Sequence, residues 1–187
     1  YDVPWFTSLN PFLGRVDAVD VCTPSGTHAS IGLRAARAGK HVVVEKPIDV
    51  SVRAATKLVE TCDRLGLTLA CISQHRFAPS VRAARDAVRR GLLGRMLIGD
   101  AYVKWYRTQE YYDSGAWRGT RKLDGGCLMN HAIHSVDLLL WTMGPAASVR
   151  ALTRTACHRM ECEDVAAVLV EFASGAMGVI QASTCCY

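Results

Sequence analysis

Two groups of residues in this chain could do acid–base chemistry. The first is Glu45-Lys46-Pro47, an acid, a base and a proline that follow the apolar run Val42-Val43-Val44 without a break. Pro47 fixes its own φ and restricts Lys46 to extended geometry, so the lysine is aimed by covalent structure as well as by packing. The second is Asn130, His134 and Asp137, spaced i, i+4, i+7 within an apolar stretch and therefore on one face of a helix. Lysine, with a pKa of about 10.4, needs desolvation or a nearby positive charge before it can act as a base at neutral pH; histidine, at about 6.5, needs less help. Each group also has a plainer account. Glu45 and Lys46 would then be solvated charges at an ordinary strand exit, and His134 a core histidine held by Asp137. Burying unpaired polar groups costs about 1 to 3 kcal/mol each, so the stripe on the helix must face partners.

The elements around the lysine follow a simple rhythm. A short β-branched run ending in charges fits a buried parallel strand, and ligands of open α/β sheets bind at the carboxyl ends of such strands. Upstream, residues 1–15 read as a loop with one helical turn, and Val16 to Cys22 as a strand. That strand ends in Thr23-Pro24-Ser25-Gly26-Thr27-His28. Thr23 and Ser25 supply hydroxyls, Gly26 admits a ligand close to the backbone, and the free amides of the next helix can hold an anion or a ribose. Ser25 or Thr27 is the expected N-cap. Ala29 to Ala38 reads as a helix stopped by Gly39. Asp49 or Ser51 caps a helix to about Leu65, with Val52, Ala55, Leu58, Val59 and Cys62 as its apolar stripe. Leu67 to Ser73 is a third strand, so strand and helix alternate in parallel βαβ units.

After Gln74-His75-Arg76 the rhythm changes. Pro79 to Arg90 reads as a helix, Met96 to Arg107 as one long alternating strand, and 108–125 as a long polar and aromatic loop of the kind that carries function. Cys127 to Met143 is an apolar helix ended by Gly144-Pro145. Strands over Ser148 to Thr155, Val165 to Phe172 and Ala176 to Ser183 follow, the last two joined at Ser174-Gly175 as a hairpin. Strands in succession predict an antiparallel sheet with one helix packed on it.

Composition narrows the function classes. The 187 residues carry a formal charge of +5. The basic residues Arg34, Arg37 and Lys40, then Arg53 and Lys57, then Arg82, Arg85, Arg89 and Arg90 punctuate separate helical patterns. That reads as solvated helix faces and argues against nucleic acid. No apolar run approaches the roughly 18 to 20 residues that cross a bilayer, and no signal peptide is evident, so no membrane partner and a cytoplasmic location are expected. Cys22, Cys62 and Cys71 sit in apolar patterns and read as buried reduced thiols. Cys127 and His131 are i, i+4, and Cys157, His158 and Cys162 lie downstream, but no second paired motif completes four ligands, so no metal site is assigned. Tyr1 is not a start methionine and Tyr187 follows a strand-like run, so a fragment is expected.

Val21-Cys22-Thr23-Pro24 with His28, then Glu45-Lys46-Pro47, Gln74-His75-Arg76, Trp117-Arg118, and Gly125-Gly126 followed by Asn130, His134 and Asp137 form an ordered set. With them the sequence resembles the Gfo/Idh/MocA family over nearly its whole length. The resemblance implies an α/β fold: a partial Rossmann-type parallel sheet over 1–74 for NAD or NADP, then a partial α+β domain over 75–187 with a mostly antiparallel open sheet. That sheet would support substrate binding and a homo-oligomer. Family members generally move a hydride between a secondary hydroxyl of a sugar, polyol or sugar derivative and the nicotinamide. By position, Cys22, Thr23, Pro24, Ser25 and His28 would lie along the cofactor, and Glu45 and Lys46 near its nicotinamide ribose. Lys46 and His134, with Asn130, would form the catalytic group. Gln74, Trp117 and Arg118 would close the pocket at the cofactor. The resemblance also implies a cis peptide between Lys46 and Pro47.

Two departures qualify it. The glycine-rich turn expected before the first strand is absent, so this polypeptide is expected to bind dinucleotide poorly while a longer parent binds it. Asn130 stands where many relatives carry aspartate, which removes a charge that favours protonated lysine or histidine. The resemblance is then to a subset of the family that shares asparagine here and acts on nucleotide-linked sugars or sugar acids, which implies a substrate of that class. The rival reading is a non-catalytic sensor or scaffold that keeps the dinucleotide fold.

Overall fold

Val42 and Val44 are wholly buried in β2 (His41–Glu45), the middle strand of a parallel sheet ordered β1-β2-β3. β1 is Ala18–Val21 and β3 Leu69–Ile72; Val44 pairs with Val21 on one side and Cys71 on the other. The computed structural model describes residues 3–187, so the expectation for Tyr1 and Asp2 lies outside the described residues. The chain divides into two compact units, one ending at Ile72 and the other beginning at Ser73.

In the first unit, α1 (Leu9–Leu13) supplies Leu13 to the core, and α2 (His28–Arg37) and α3 (Val52–Arg64) pack on the sheet. Gly32 permits the approach of α2, because a Cβ there would stand 2.9 Å from Leu58 Cδ2. Ser51 caps α3 by accepting from the Ala54 amide at 3.3 Å. Neither Ser25 nor Thr27 caps α2 through its side chain. Asp49 does so from beyond β2, its Oδ2 accepting from the Ala29 amide at 3.0 Å while Oδ1 accepts from Ser51 at 2.9 Å. The stripe expected on α3 is corrected. Leu58, Thr61 and Cys62 face the core with Ala54 against them, whereas Val52 is 80% exposed and Val59 lies at the surface. Successive helical residues turn by about 100°, so a contact line through 54, 58 and 61 carries 52 and 59 away from the sheet.

The second unit opens with a 3₁₀ turn, Gln74–Phe77, and α4 (Pro79–Arg89), which has proline in its first turn. Then come β4 (Ile98–Lys104), α5 (Gln109–Asp113), α6 (Ile133–Met143) and the strands β5 (Ala146–Arg154), β6 (Val165–Phe172) and β7 (Met177–Ser183). The sheet runs β4-β7-β6-β5, with Leu139 and Met143 of α6 packed against Ala101, Val168, Val170, Phe172 and Ile180. Its other face leaves Tyr102, Leu169 and Met177 exposed.

The sheet is mostly antiparallel, as expected, with β5–β6 and β6–β7 antiparallel and β4 parallel to β7, while two element bounds are revised. The hairpin fixes the direction of β7, which then fills the place beside β4. The regular part of β4 ends at Lys104, although the amides of Trp105 and Arg107 still donate to Ser183 and Thr184 at 2.9 Å. The long helix is divided: Cys127–Ala132 is a π-helical turn, and α-helical geometry begins only at Ile133. Among the described residues no helix is long and apolar enough to cross a membrane.

Candidate active site

At the strand exits of the first unit, the turn after β1 is held by its own hydroxyls. Thr27 Oγ1 donates to the Pro24 carbonyl at 2.7 Å, which leaves its lone pairs for the Thr23 hydroxyl, also at 2.7 Å. Ser25 is buried and Thr23 exposed, so of the two expected hydroxyls Thr23 is the one presented outward. His28 is 1% exposed. Its Nδ1 lies 2.8 Å from the Pro47 carbonyl and its Nε2 2.7 Å from the Thr23 carbonyl. The ring therefore links the two strand exits through backbone.

Lys46 and Glu45 are half-buried at the carboxyl end of β2, and the Lys46–Pro47 peptide is cis, as the resemblance implied. Glu45 turns back so that its Oε2 accepts from the Lys46 amide at 3.3 Å. Cys22 is exposed, which corrects its reading as a buried thiol: burial alternates along β1, and Cys22 falls on the outward side with Ala18 and Asp20. Residual burial and the Asp20 carboxylate push its thiol upward. Cys62 is buried as expected, Cys71 half-buried.

In the second unit the polar stripe finds its partners one by one. The π turn widens the backbone at Asn130, and wide turns of this kind occur often at functional sites. Asn130 Nδ2 donates to Asp124 Oδ1 through a very short bond. The His134 ring stands 4.7 Å from the His75 ring at 34°. Asp137 accepts from Arg76 Nε at 2.8 Å and Nη2 at 2.5 Å. Asp137 is thus committed to an arginine, and the account in which it holds His134 is set aside.

Trp117 and Arg118 are half-buried. The Arg118 guanidinium lies 4.3 Å from the Tyr111 ring and 4.5 Å from that of Trp117, and Nη1 donates to the Tyr111 hydroxyl at 2.6 Å. Arg107 covers Tyr111 at 5.2 Å, and His131 approaches that ring at 5.8 Å. The result is a cationic and aromatic cluster with hydrogen-bonding edges, suited to a polar ring or an anionic group. Gln74 is exposed at the start of the 3₁₀ turn.

Asp124 escaped the sequence reading. It is 1% exposed; Oδ2 accepts from the Gly119 amide at 2.6 Å while Oδ1 holds Asn130, so it ties the Trp117-Arg118 segment to the π turn. The only cue was an acid three residues before an apolar helix, outside the N-cap position that Gly126 occupies. Glu163 and Asp164 were missed as well. Glu163 Oε1 accepts from the Leu128 amide at 3.1 Å. Asp164 is fully buried and accepts from the amides of Ala156, Cys157 and His158 and from the His158 ring, at 2.7 to 2.9 Å. Cys157, Asp164 and Cys185 place ligand-type atoms within 4.8 Å of one another, but the Asp164 oxygens are already filled by those donors.

The first unit is thus a parallel sheet with hydroxyl, carboxylate and ammonium groups at its strand exits, and the second a sheet-and-helix unit bearing a polar stripe. That combination defines a partial Rossmann-type parallel sheet followed in the chain by an α+β unit. The chain belongs to the GFO/IDH/MocA family: residues 1–73 match the oxidoreductase family's NAD-binding Rossmann fold, and residues 81–187 match the GFO/IDH/MocA C-terminal domain. It is 30% identical over 174 residues to 1,5-anhydro-D-fructose reductase of Ensifer adhaerens, covering 90% of this chain and 51% of that protein. It is 30% identical over 131 residues to the rhizopine catabolism protein MocA of Rhizobium meliloti, covering 70% and 39%. The WlbA dehydrogenase from Bordetella pertussis, solved in complex with NADH and UDP-GlcNAcA, superposes with a TM-score of 0.95 at 38% identity, over 97% of this chain and 53% of that one. The chain spans about half or less of the length of these relatives.

Proposed function

We propose that the protein to which this chain belongs is an NAD(P)-dependent oxidoreductase that transfers a hydride between a secondary hydroxyl of a sugar, polyol or sugar derivative and the nicotinamide. Membership of the family across both units carries the reading, and Lys46 at the exit of β2 is the residue that most directly supports it. Thr23, with its exposed hydroxyl, and Glu45, with its carboxylate, fit the hydroxyls of a ribose. Cys22, Pro24 and Ser25 shape the turn beside it, and His28 holds that turn to Pro47. The dinucleotide supplies the hydride acceptor when bound.

Lys46 and His134 share the proton transfer at the substrate hydroxyl, with Asn130 orienting the substrate as a neutral amide. Gln74, Trp117 and Arg118 bound the pocket. A nucleotide-linked sugar or sugar acid is the preferred substrate class; the Arg118–Tyr111 cluster and the likeness to a dehydrogenase solved with UDP-GlcNAcA support it. The same reading takes 1–74 as part of the dinucleotide-binding domain and 75–187 as part of the substrate domain. Copies associate through the exposed face of the second sheet, where Tyr102, Leu169 and Met177 stand open. The same reading places the protein in the cytoplasm, in keeping with the buried thiols of Cys62, Cys127 and Cys162.

In the complete protein, Lys46→Ala and His134→Ala should each lower kcat by about 10²- to 10⁴-fold while leaving dinucleotide affinity nearly unchanged. Full turnover by Lys46→Ala would end the proposal. Dinucleotide binding without any turnover by the unaltered protein, across a panel of sugars and nucleotide sugars, would favour the sensor or scaffold.

A further inference from the structure

A cavity of about 380 Å³ lies in the second unit, bounded by the Gln74–Phe77 turn, α4 and α6. Its charge is lopsided. Arg82, Arg85 and Arg89 line it from one stripe of α4, spaced i, i+3 and i+7, and Arg76 lines it from the turn. Arg76 is paired with Asp137. Among the described residues, none of the three α4 arginines forms an ion pair, and Asp86 is the one acid in the lining. Like charges at i, i+3 and i, i+4 repel along a helix, so α4 alone gains nothing from this arrangement.

The rings present hold the guanidinium groups without satisfying them. Arg85 lies 5.6 Å from the Trp141 ring, with Arg76 at 5.4 Å from the same ring, and Arg82 lies 5.1 Å from Phe77. Stacking orients a guanidinium plane and leaves its N–H edge for an acceptor. Arg85 Nε is buried with no hydrogen-bond partner among the described residues. A buried donor in that state costs free energy that an acceptor oxygen would return. Three unpaired guanidinium groups against one carboxylate call for a ligand of about two negative charges with several oxygens arranged for forked recognition, which is the chemistry of a phosphate. The volume suits a small phosphorylated molecule.

We propose that this cavity binds the phosphate of a phosphorylated ligand, through Arg82, Arg85 and Arg89. Its position then narrows the substrate, a step that rests on the role given to His134 above, whereas the phosphate site itself does not. Trp141 lies seven residues after His134 on α6, about 10 Å along the helix axis. A sugar ring with a phosphate or diphosphate on its anomeric carbon spans such a distance. The substrate is therefore a sugar linked to a phosphate or nucleoside diphosphate.

Titration calorimetry on this 187-residue chain tests the site without turnover or dinucleotide. Inorganic pyrophosphate should bind with one-to-one stoichiometry and weaken as salt is raised. Arg85→Met and Arg89→Glu should each weaken it by about tenfold or more, with thermal unfolding used to show that each variant is folded. Arg90→Glu, one residue outside the lining, should leave binding nearly unchanged. Absence of binding at about 1 mM pyrophosphate, or equal weakening by Arg90→Glu, would overturn the site. UDP-glucose should bind more tightly than pyrophosphate, and His134→Ala should abolish the difference. Equal affinity for the two in the unaltered chain would overturn the sugar-phosphate assignment while leaving the phosphate site standing.

Discussion

The Arg76 guanidinium closes on the Asp137 carboxylate through two bonds, of 2.8 and 2.5 Å, one turn of α6 beyond His134. The pair fastens the 3₁₀ turn to α6, and with it His75 against His134. Arg76 is 40% and Asp137 20% exposed, so solvent screens the attraction and its worth is modest. Asp137→Asn should lower the free energy of unfolding by about 1 kcal/mol in urea titrations. A double-mutant cycle with Arg76→Met should return most of that loss as coupling; purely additive effects would show that the pair contributes nothing of its own.

Gly126 opens the π turn, and a Cβ placed on it would stand 2.1 Å from the Glu163 carboxyl group. That carboxylate is held by the Leu128 amide at 3.1 Å, so an alanine evicts a bonded group. Gly126→Ala should cost about 1 to 3 kcal/mol, read from thermal or urea unfolding. Glu163→Ala with Gly126→Ala should recover part of the loss relative to the sum of the single changes, because the clash is then gone.

Asp164 governs the acid limb of stability. Burial opposes its ionisation, but the amides of Ala156, Cys157 and His158 and the His158 side chain outweigh burial and hold its carboxyl below the ordinary value. A depressed folded pKa contributes stability that is present above the unfolded value of about 3.8 and is lost as pH falls through the folded one. Urea midpoints measured from pH 6 downward should therefore fall below about pH 4 in the native chain. Asp164→Asn should be less stable at neutral pH and show a shallower fall in that acid window.

Cys127 acts on the alkaline limb. Burial, followed by the Glu163 and Asp164 carboxylates, pushes its thiol up to about 12 from an ordinary 9.0. A raised folded pKa gives stability that is whole below the unfolded value and is lost as pH rises through the folded one, so the window runs from about 9 to about 12. Replacing Cys127 by alanine should flatten stability across that range. In the native chain at pH 8, alkylation should reach the exposed Cys157 well before Cys127 or Cys162, whose thiol burial raises to about 11.

How much of this was legible in the residues depends on the distance over which each feature is decided. Val42 to Val44, followed by a charged pair and a proline, specify a buried strand with chemistry at its exit, because β-branched runs and proline act within a few residues. Gly39 and Gly66, both at positive φ, end α2 and α3 where the sequence placed the stops. The alternation of strand and helix over the first unit, the hairpin of β6 and β7, and the spacing of His134 and Asp137 were likewise local. Tertiary structure alone decided who answers those groups. It assigned Asp137 to Arg76, Asn130 to Asp124, and the α2 cap to Asp49 across a strand exit. It also turned β4 parallel to β7, interrupted the apolar helix with a π turn, and gathered arginines that read as solvated helix faces around one cavity. Each of these depends on groups far apart in the chain. Periodicity shows which side of an element is polar, but only packing determines which distant donor or acceptor meets it.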